Sequence, residues 1–397
     1  MALLKIAFLS LAIPVGVYVS LLGLIATFPT LQTHTFYLHR VTLTWFRDLN
    51  VPETFGFLRN QVTTFSIPTP DGVSLHAWHV LPIGLYRRHE KELSAQPSGF
   101  TRDITSRLNF KLLRDDPEAR LVIYLHGTAG SIGSGWRPDN YRALYSCAPD
   151  KIHVVTIDYR GYGLSSGIPS EEGLLLDAMA LTDWAINVAG IPDSRIVLFA
   201  QSLGTAVGMS LMSHLAKLPS PINFSGIVFV ASFSDVATLT ATYRIGGVIP
   251  VLSPLAISPR LLAFFQSFMK STWLSKDRIS EFIQLKEEES NGSKYHITFI
   301  HALDDADIPW THTEVLFWHA VNAALSTGIS YEDLEQEKNE KRVDLGDGGW
   351  SMEWRTSKGL IRERILNFGL HDVIMSYPAI SMATMDAFQA ADSSFGS

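Results

Sequence analysis

The sequence predicts an α/β fold built on a mostly parallel, doubly wound sheet, and three observations carry that expectation. Apolar runs without polar alternation, Leu121-Val-Ile-Tyr-Leu125 and Gly226-Ile-Val-Phe-Val-Ala231 among them, are the pattern of strands buried on both faces. These runs alternate with amphipathic helical stretches, the order that lays right-handed crossovers onto one sheet. Finally, Arg195-Ile-Val-Leu-Phe199 leads through Ala200-Gln201-Ser202-Leu203-Gly204 directly into a helical stretch at 205–217. A serine in such a strand–turn–helix stands at the tip of a sharp turn, and small residues at 200 and 204 let strand and helix approach.

In chain order, residues 6–28 carry no charge and only Ser10, Pro14 and Ser20 as interruptions. At about 1.5 Å per residue they span roughly 33 Å, enough for a bilayer core of about 30 Å. A transmembrane anchor over 1–30 is therefore expected. A cleaved signal peptide is the alternative, and Leu24-Ile25-Ala26 fits its cleavage pattern poorly. Lys5 on one side and Arg40 and Arg47 on the other set no orientation by charge. Residues 31–60 read as a linker and 61–397 as the body. The body opens with a β-hairpin at 61–81 around Pro70-Asp71-Gly72, followed by a polar surface insertion at 84–119.

Strands at 121–126, 152–158, 195–200 and 226–231 then alternate with helices near 139–147, 171–189 and 203–217. The regularity stops at 232 and resumes with the strand 296–300. The stretch between, about 233–295, is rich in Pro, Leu and Phe and fits an apolar cap over the carboxyl edge of the sheet, with ordinary core helices as the alternative. A second polar insertion, about 326–358, precedes a last strand at 360–368 and a final helix.

Composition narrows the function. The 397 residues are 46% hydrophobic, sufficient for a large core, and show no repeat. The net charge of -7 comes from interspersed residues, without a basic footprint for nucleic acid. One cysteine, Cys147, excludes an internal disulfide and a cysteine-based metal cluster. No G-x-G-x-x-G opens a helix, and neither a phosphate-binding G-x-x-x-x-G-K-[ST] nor an H-E-x-x-H occurs. No cofactor or metal is therefore expected, and the pattern specifies no oligomeric state. Asn223-Phe-Ser225 and Asn291-Gly-Ser293 are possible glycosylation acceptors; Asn291 is the better placed, in a charged loop.

A serine hydroxyl near neutral pH needs a base within hydrogen-bond reach and a group that orients the base. In doubly wound hydrolases these come in the order nucleophile, acid, histidine, each from a loop after a strand. Downstream of Ser202, His214 lies within the following helix, His296 begins a strand at the wrong edge, and His312 and His319 fall on the helix after the acid loop. His371 alone follows a late strand in a small loop, which makes it the candidate base. For the acid, Asp304, Asp305 and Asp307 all follow the strand ending near 300; Asp307 is expected to cap the next helix. In His126-Gly-Thr-Ala-Gly130 small residues let backbone amides face a bound substrate. The amides of Thr128 and Leu203 would then form the oxyanion hole. His126 is expected to support this loop, as is the glycine-permitted turn Asp158-Tyr-Arg-Gly-Tyr-Gly163.

Together these runs, with His301-Ala-x-x-Asp305-x-x-Ile-Pro309, resemble the α/β-hydrolase superfamily over about 61–375. The resemblance implies that Asp305, four residues after His301, is the acid, with Asp304 in reserve. Within the superfamily the chain looks like the membrane-anchored monoacylglycerol and lysophospholipid lipases of the α/β-hydrolase domain-containing group. That implies an endomembrane enzyme, such as one of the endoplasmic reticulum, with a lumenal catalytic domain and a lipid ester as substrate. Ala200 stands where the family usually has glycine, and the two insertions could reshape substrate choice. A serine peptidase or thioesterase of the same fold, and a non-catalytic hydrolase-like binding protein, are the competing readings.

Overall fold

Ten strands form one sheet among the described residues, 2–245, 247–289 and 294–396 of a computed structural model. They are β1 (Val62–Pro68), β2 (Ser74–Val80), β3 (Arg120–Leu125), β4 (Ile152–Ile157), β5 (Ile196–Gln201), β6 (Gly226–Val230), β7 (Tyr295–Ala302), β8 (Val343–Asp344), β9 (Trp350–Arg355) and β10 (Gly359–Leu366). Their order across the sheet is β1-β2-β4-β3-β5-β6-β7-β10-β9-β8. The strands from β4 to β10 in that order run parallel; β1, β2, β8 and β9 pair antiparallel at the two edges. The chain leaves β3 toward β4 on one side and later returns to β5 on the other. The loops after β3 and β5 therefore part at a topological switch point, where ligands bind in such sheets.

Period-two burial explains how one apolar strand serves two cores. Leu121, Ile123 and Leu125 of β3 point into one, and Val122 and Tyr124 into the other; β5 divides in the same way. The second core is closed by α3 (Arg137–Tyr145) and, at the chain's end, Pro378–Ala391; the first by α4 (Glu171–Asp183), α5 (Leu203–Ala216) and two later helices. The alternating strands and helices thus lie where the pattern puts them, although the helix expected at 171–189 changes to a single π turn at Trp184–Val188.

Five segments differ from expectation. At the amino terminus, α1 (Ala2–Thr27) and α2 (Pro29–Tyr37) meet at a sharp bend. Among the described residues no single helix is long and apolar enough to cross a membrane, although Ala12–Thr27 and Pro29–Tyr37, bent by 108°, pass together by length and composition. Residues 31–60, expected as a linker, are packed onto the body. Leu49, Phe55 and Phe57 join the second core, the Trp78 indole donates to Leu49 O at 2.9 Å, and Gly130 N donates to Val41 O at 2.6 Å. Scattered aromatics among polar residues make this burial favourable without any periodicity to announce it.

The insertion at 84–119 likewise folds inward: Leu85, Tyr86 and Leu93 form a small cluster, and Phe110 and Leu113 enter the main core. Within the expected cap, Ser275–Glu288 is a core helix, with Ile279, Phe282 and Ile283 in the first core, so the segment covering the carboxyl edge ends near 273. The insertion at 326–358 extends the sheet with β8 and β9 and carries the helix Tyr331–Lys341, whose buried Lys338 ammonium meets Glu314, Glu335 and Glu363.

Candidate active site

Ser202 follows β5 and caps α5 with φ 52° and ψ -120°, a left-handed conformation that costs an ordinary residue of order 1–3 kcal/mol. Its amide donates to Val230 O at 3.0 Å, which pins the turn to the neighbouring strand. The next turn must come close: a Cβ on Gly204 would lie 2.1 Å from Leu125 O. The strained serine is thereby aimed across the carboxyl edge at the end of a new helix, whose N-terminus favours developing negative charge.

The three expected side chains come together. Ser202 Oγ lies 3.1 Å from His371 Nε2, and His371 Nδ1 lies 2.8 Å from Asp305 Oδ2. With the carboxylate accepting from Nδ1–H, Nε2 is left to accept the serine proton. Burial disfavours a charge on His371, but the Asp305 carboxylate outweighs it, helped by Asp372 and Asp307, and the imidazole is raised to about 9. Burial alone would raise the carboxyl of Asp305. The charge on His371 and the hydrogen bonds from His301 and His371 hold it well below the usual carboxylate range.

The acid is held on every side. Asp305 Oδ1 accepts from the amides of Asp307 (3.0 Å) and Ile308 (2.9 Å), and Oδ2 also meets His301 Nε2 at 3.1 Å. Ile308 O lies 3.0 Å from the same nitrogen, so both its neighbours are acceptors; Nε2 carries the proton, and Nδ1 accepts from the Thr313 hydroxyl at 2.7 Å. Asp304, the reserve acid, points elsewhere: its carboxylate accepts from Leu370 N at 2.8 Å and ties the histidine loop to the acid loop. Asp307 does not cap the following helix, Thr311–Ala324, whose first turn has no side-chain cap; it accepts from Gly247 N at 3.2 Å, linking the acid loop to the cap. The remaining histidines keep away from Ser202. His312 is buried between the hydroxyls of Ser234 (3.1 Å) and Thr242 (2.9 Å), and His296 begins β7 at the opposite edge.

The loop after β3 supplies the other half of the site. Burial and the nearby Arg137 hold His126 well below its ordinary value, so its neutral ring donates from Nδ1 to Gly127 O at 2.7 Å. Arg137, which sequence reasoning missed, donates to Gly127 O (3.0 Å), Ala129 O (2.8 Å) and Ser131 O (2.6 Å). In a trans peptide the C=O and the following N–H point opposite ways. Holding Gly127 O toward the guanidinium therefore turns Thr128 N–H away from it. Among the described residues neither this amide nor that of Leu203 has a hydrogen-bond partner, and both residues line the same cavity as Ser202. Gln201 was missed as well: its amide nitrogen lies 3.3 Å from His371 Nε2 and 3.4 Å from Asp372 Oδ1. A polar side chain buried at the end of an apolar strand was the available signal.

The cavity over Ser202 has a volume of about 220 Å³ and is lined mainly by apolar side chains. Of the two possible glycosylation acceptors, Asn223 is half-buried with its side-chain oxygen held by the buried Lys286 ammonium, and Asn291 lies outside the described residues. The described residues contain no group of His, Cys, Asp and Glu suited to a metal ion.

Several known proteins are similar to this chain. The lysophosphatidylserine lipase ABHD12 of Danio rerio is 26% identical over 298 residues, covering 74% of this chain and 68% of that protein. The Xenopus tropicalis protein of the same name is 30% identical over 206 residues, covering 52% of this chain and about half, 48%, of its own length. Among solved structures, an alpha-beta hydrolase from Vibrio vulnificus aligns with 91% of this chain and 92% of its own, at a TM-score of 0.51 and 12% identity, a likeness of fold. The family model described as Alpha/beta hydrolase family matches residues 122–333, more than half the chain, beginning within β3 and with Ser202 and Asp305 inside the matched range. The chain belongs to the alpha/beta hydrolase family.

Proposed function

We propose that the protein is a serine hydrolase that cleaves carboxylic esters of membrane-derived lipids, monoacylglycerols or lysophospholipids. The observation that carries this reading is the hydrogen-bonded chain Ser202–His371–Asp305, whose serine lines an apolar cavity. As Ser202 Oγ adds to the ester carbonyl, its proton passes to His371 Nε2, and Asp305 stabilises the imidazolium. The carbonyl oxygen becomes an oxyanion facing the amides of Leu203 and Thr128. Collapse breaks the bond to the alcohol, which leaves with the proton from His371. Water then adds to the acyl-enzyme, giving its proton to His371, and Ser202 recovers that proton as the fatty acid departs. Each transfer uses this chain's own groups and water.

The apolar cavity suits an acyl chain better than a peptide, and the relatives named lysophosphatidylserine lipase support a lysophospholipid among the substrates. In the same reading α1 anchors the protein in an endomembrane, the endoplasmic reticulum by family resemblance, with the body lumenal. Fluorophosphonate labelling of the full chain, lost in Ser202→Ala, tests the nucleophile; well-folded protein that takes no label refutes it. Turnover of monoacylglycerols and lysophospholipids tests the substrate class, and activity on peptides alone would overturn it. A glycosidase-sensitive gel shift abolished by Asn291→Gln tests the lumenal body, and its absence from cell-expressed protein counts against that topology.

A further inference from the structure

The walls above Ser202 come from stretches far apart in the chain. Leu22 and Ile25 of α1 and Phe36 of α2 face the cavity from one side, and Val236, Leu252 and Met269 of the cap from the other. On a helix, positions 18, 22 and 25 fall on one face. That face is committed to the cap: Leu22 is buried against Leu252 and Leu255, and the Tyr18 hydroxyl donates to Val251 O at 2.7 Å. The bend into α2 is tied down too. The Gln32 side chain donates to Phe268 O at 2.9 Å and accepts from Lys270 N at 2.7 Å, and the Tyr37 hydroxyl meets Ser271 at 2.9 Å. The other side of α1 is open, with Leu21 and Leu24 exposed. A tether alone would need no fixed depth or rotation against the cap; these bonds specify both.

We propose that the last two turns of α1, with Phe36 near the end of α2, are the acyl-chain wall of the site, so that the helix entering the bilayer also guides a lipid's chain to Ser202. This rests on the lipid-hydrolase reading and adds to it a residue-level source of chain-length preference. Leu22 and Ile25 offer only methyl and methylene surface; Gln32, Thr33, Thr35 and Tyr37 of α2 also line the cavity, each with its polar group hydrogen-bonded within the protein, so the ligand that the α1 face fits is an extended hydrocarbon. On the outer side of the same cluster, Leu261, Phe264 and Phe268 are exposed, continuing the apolar surface from α1 across the cap.

The test uses the full chain in phospholipid nanodiscs and the ratio of kcat/KM for p-nitrophenyl palmitate to that for p-nitrophenyl butyrate. Leu22→Trp and Ile25→Trp, which fill the wall, should lower this ratio by ~10-fold or more, chiefly through KM for the long ester. Leu24→Trp, on the exposed side, should leave it unchanged. An unchanged ratio in both wall variants overturns the proposal, and so does an equal fall in Leu24→Trp, which would trace the effect to membrane insertion. If tryptophan abolishes fluorophosphonate labelling, Leu22→Ala and Ile25→Ala widen the wall instead; the ratio must then move, and a constant ratio overturns the proposal. Wild-type protein that turns over neither ester refutes the hydrolase reading itself, whereas turnover with an insensitive ratio refutes the wall alone.

Discussion

At the scale of single residues, the site is a set of protons held in place by carbonyls and carboxylates. A general base must be neutral to accept, and the carboxylates around His371 favour its charged form, so its neutral form grows in only at higher pH. Hydrolysis should therefore rise with pH along a limb above the ordinary histidine range, toward about 9. In Asp305→Asn the pull is gone: the limb should move to lower pH while kcat falls by about 10⁴-fold, as expected when the base loses its orienting partner. A pH profile of kcat/KM on a p-nitrophenyl ester, corrected for spontaneous hydrolysis, reads both effects. A limb in Asp305→Asn at the wild-type position would contradict the electrostatic account. Arg137 supports a second prediction, because it touches only the back of the oxyanion loop. Arg137→Met should lower kcat by roughly 10–100-fold, part of the ~10²–10³ attributed to one oxyanion donor. KM should change little; a loss confined to KM would place Arg137 in binding.

At the scale of elements, the nucleophile turn works because β5, α5 and the end of β3 converge with no room for a methyl group. Gly204→Ala drives a Cβ into the carbonyl of Leu125, a backbone atom that cannot swing aside. The variant should lose about 1–3 kcal/mol of stability by overpacking and most of its activity, read by thermal melting and ester turnover. The same turn explains what the sequence made legible. Small-x-Ser-x-Gly between an apolar run and a helix is a local steric requirement, so it is written in adjacent residues. The parallel strands were legible too, since two-sided burial leaves an unbroken apolar run. Ser275–Glu288 was harder: its apolar positions read equally well as cap or core, and only contact with α5 decides. Gln201 and Asp304 act through partners far away in the chain, and Arg137 through backbone carbonyls of the loop before it, so no side-chain pattern names the partner in any of the three.

At the scale of the whole molecule, the amino-terminal stretch 31–60 changes what counts as the body. Its aromatics are dispersed among Thr, Arg, Asp and Asn, so neither helical nor strand periodicity reveals that they are core. Yet Leu49, Phe55 and Phe57 are each about 5% exposed and lie against Trp78, and the oxyanion loop donates hydrogen bonds from Ala129 N and Gly130 N to Tyr37 O and Val41 O of the same stretch. Removing it exposes these surfaces and orphans buried groups, among them the Trp78 indole N–H. Burying each large apolar side chain contributes about 1.5–3 kcal/mol, so three of them alone supply about 5–9 kcal/mol. A domain's entire stability is about 5–15 kcal/mol. A chain reduced to 61–397 should therefore fail to unfold cooperatively, or melt far below the full protein. Its surviving ester hydrolysis should fall with the oxyanion loop, not merely with membrane targeting. Thermal melting of the two proteins in the same detergent decides the matter. Melting points within a few degrees, with equal turnover of p-nitrophenyl butyrate, would show that 31–60 is the dispensable connector its sequence suggests.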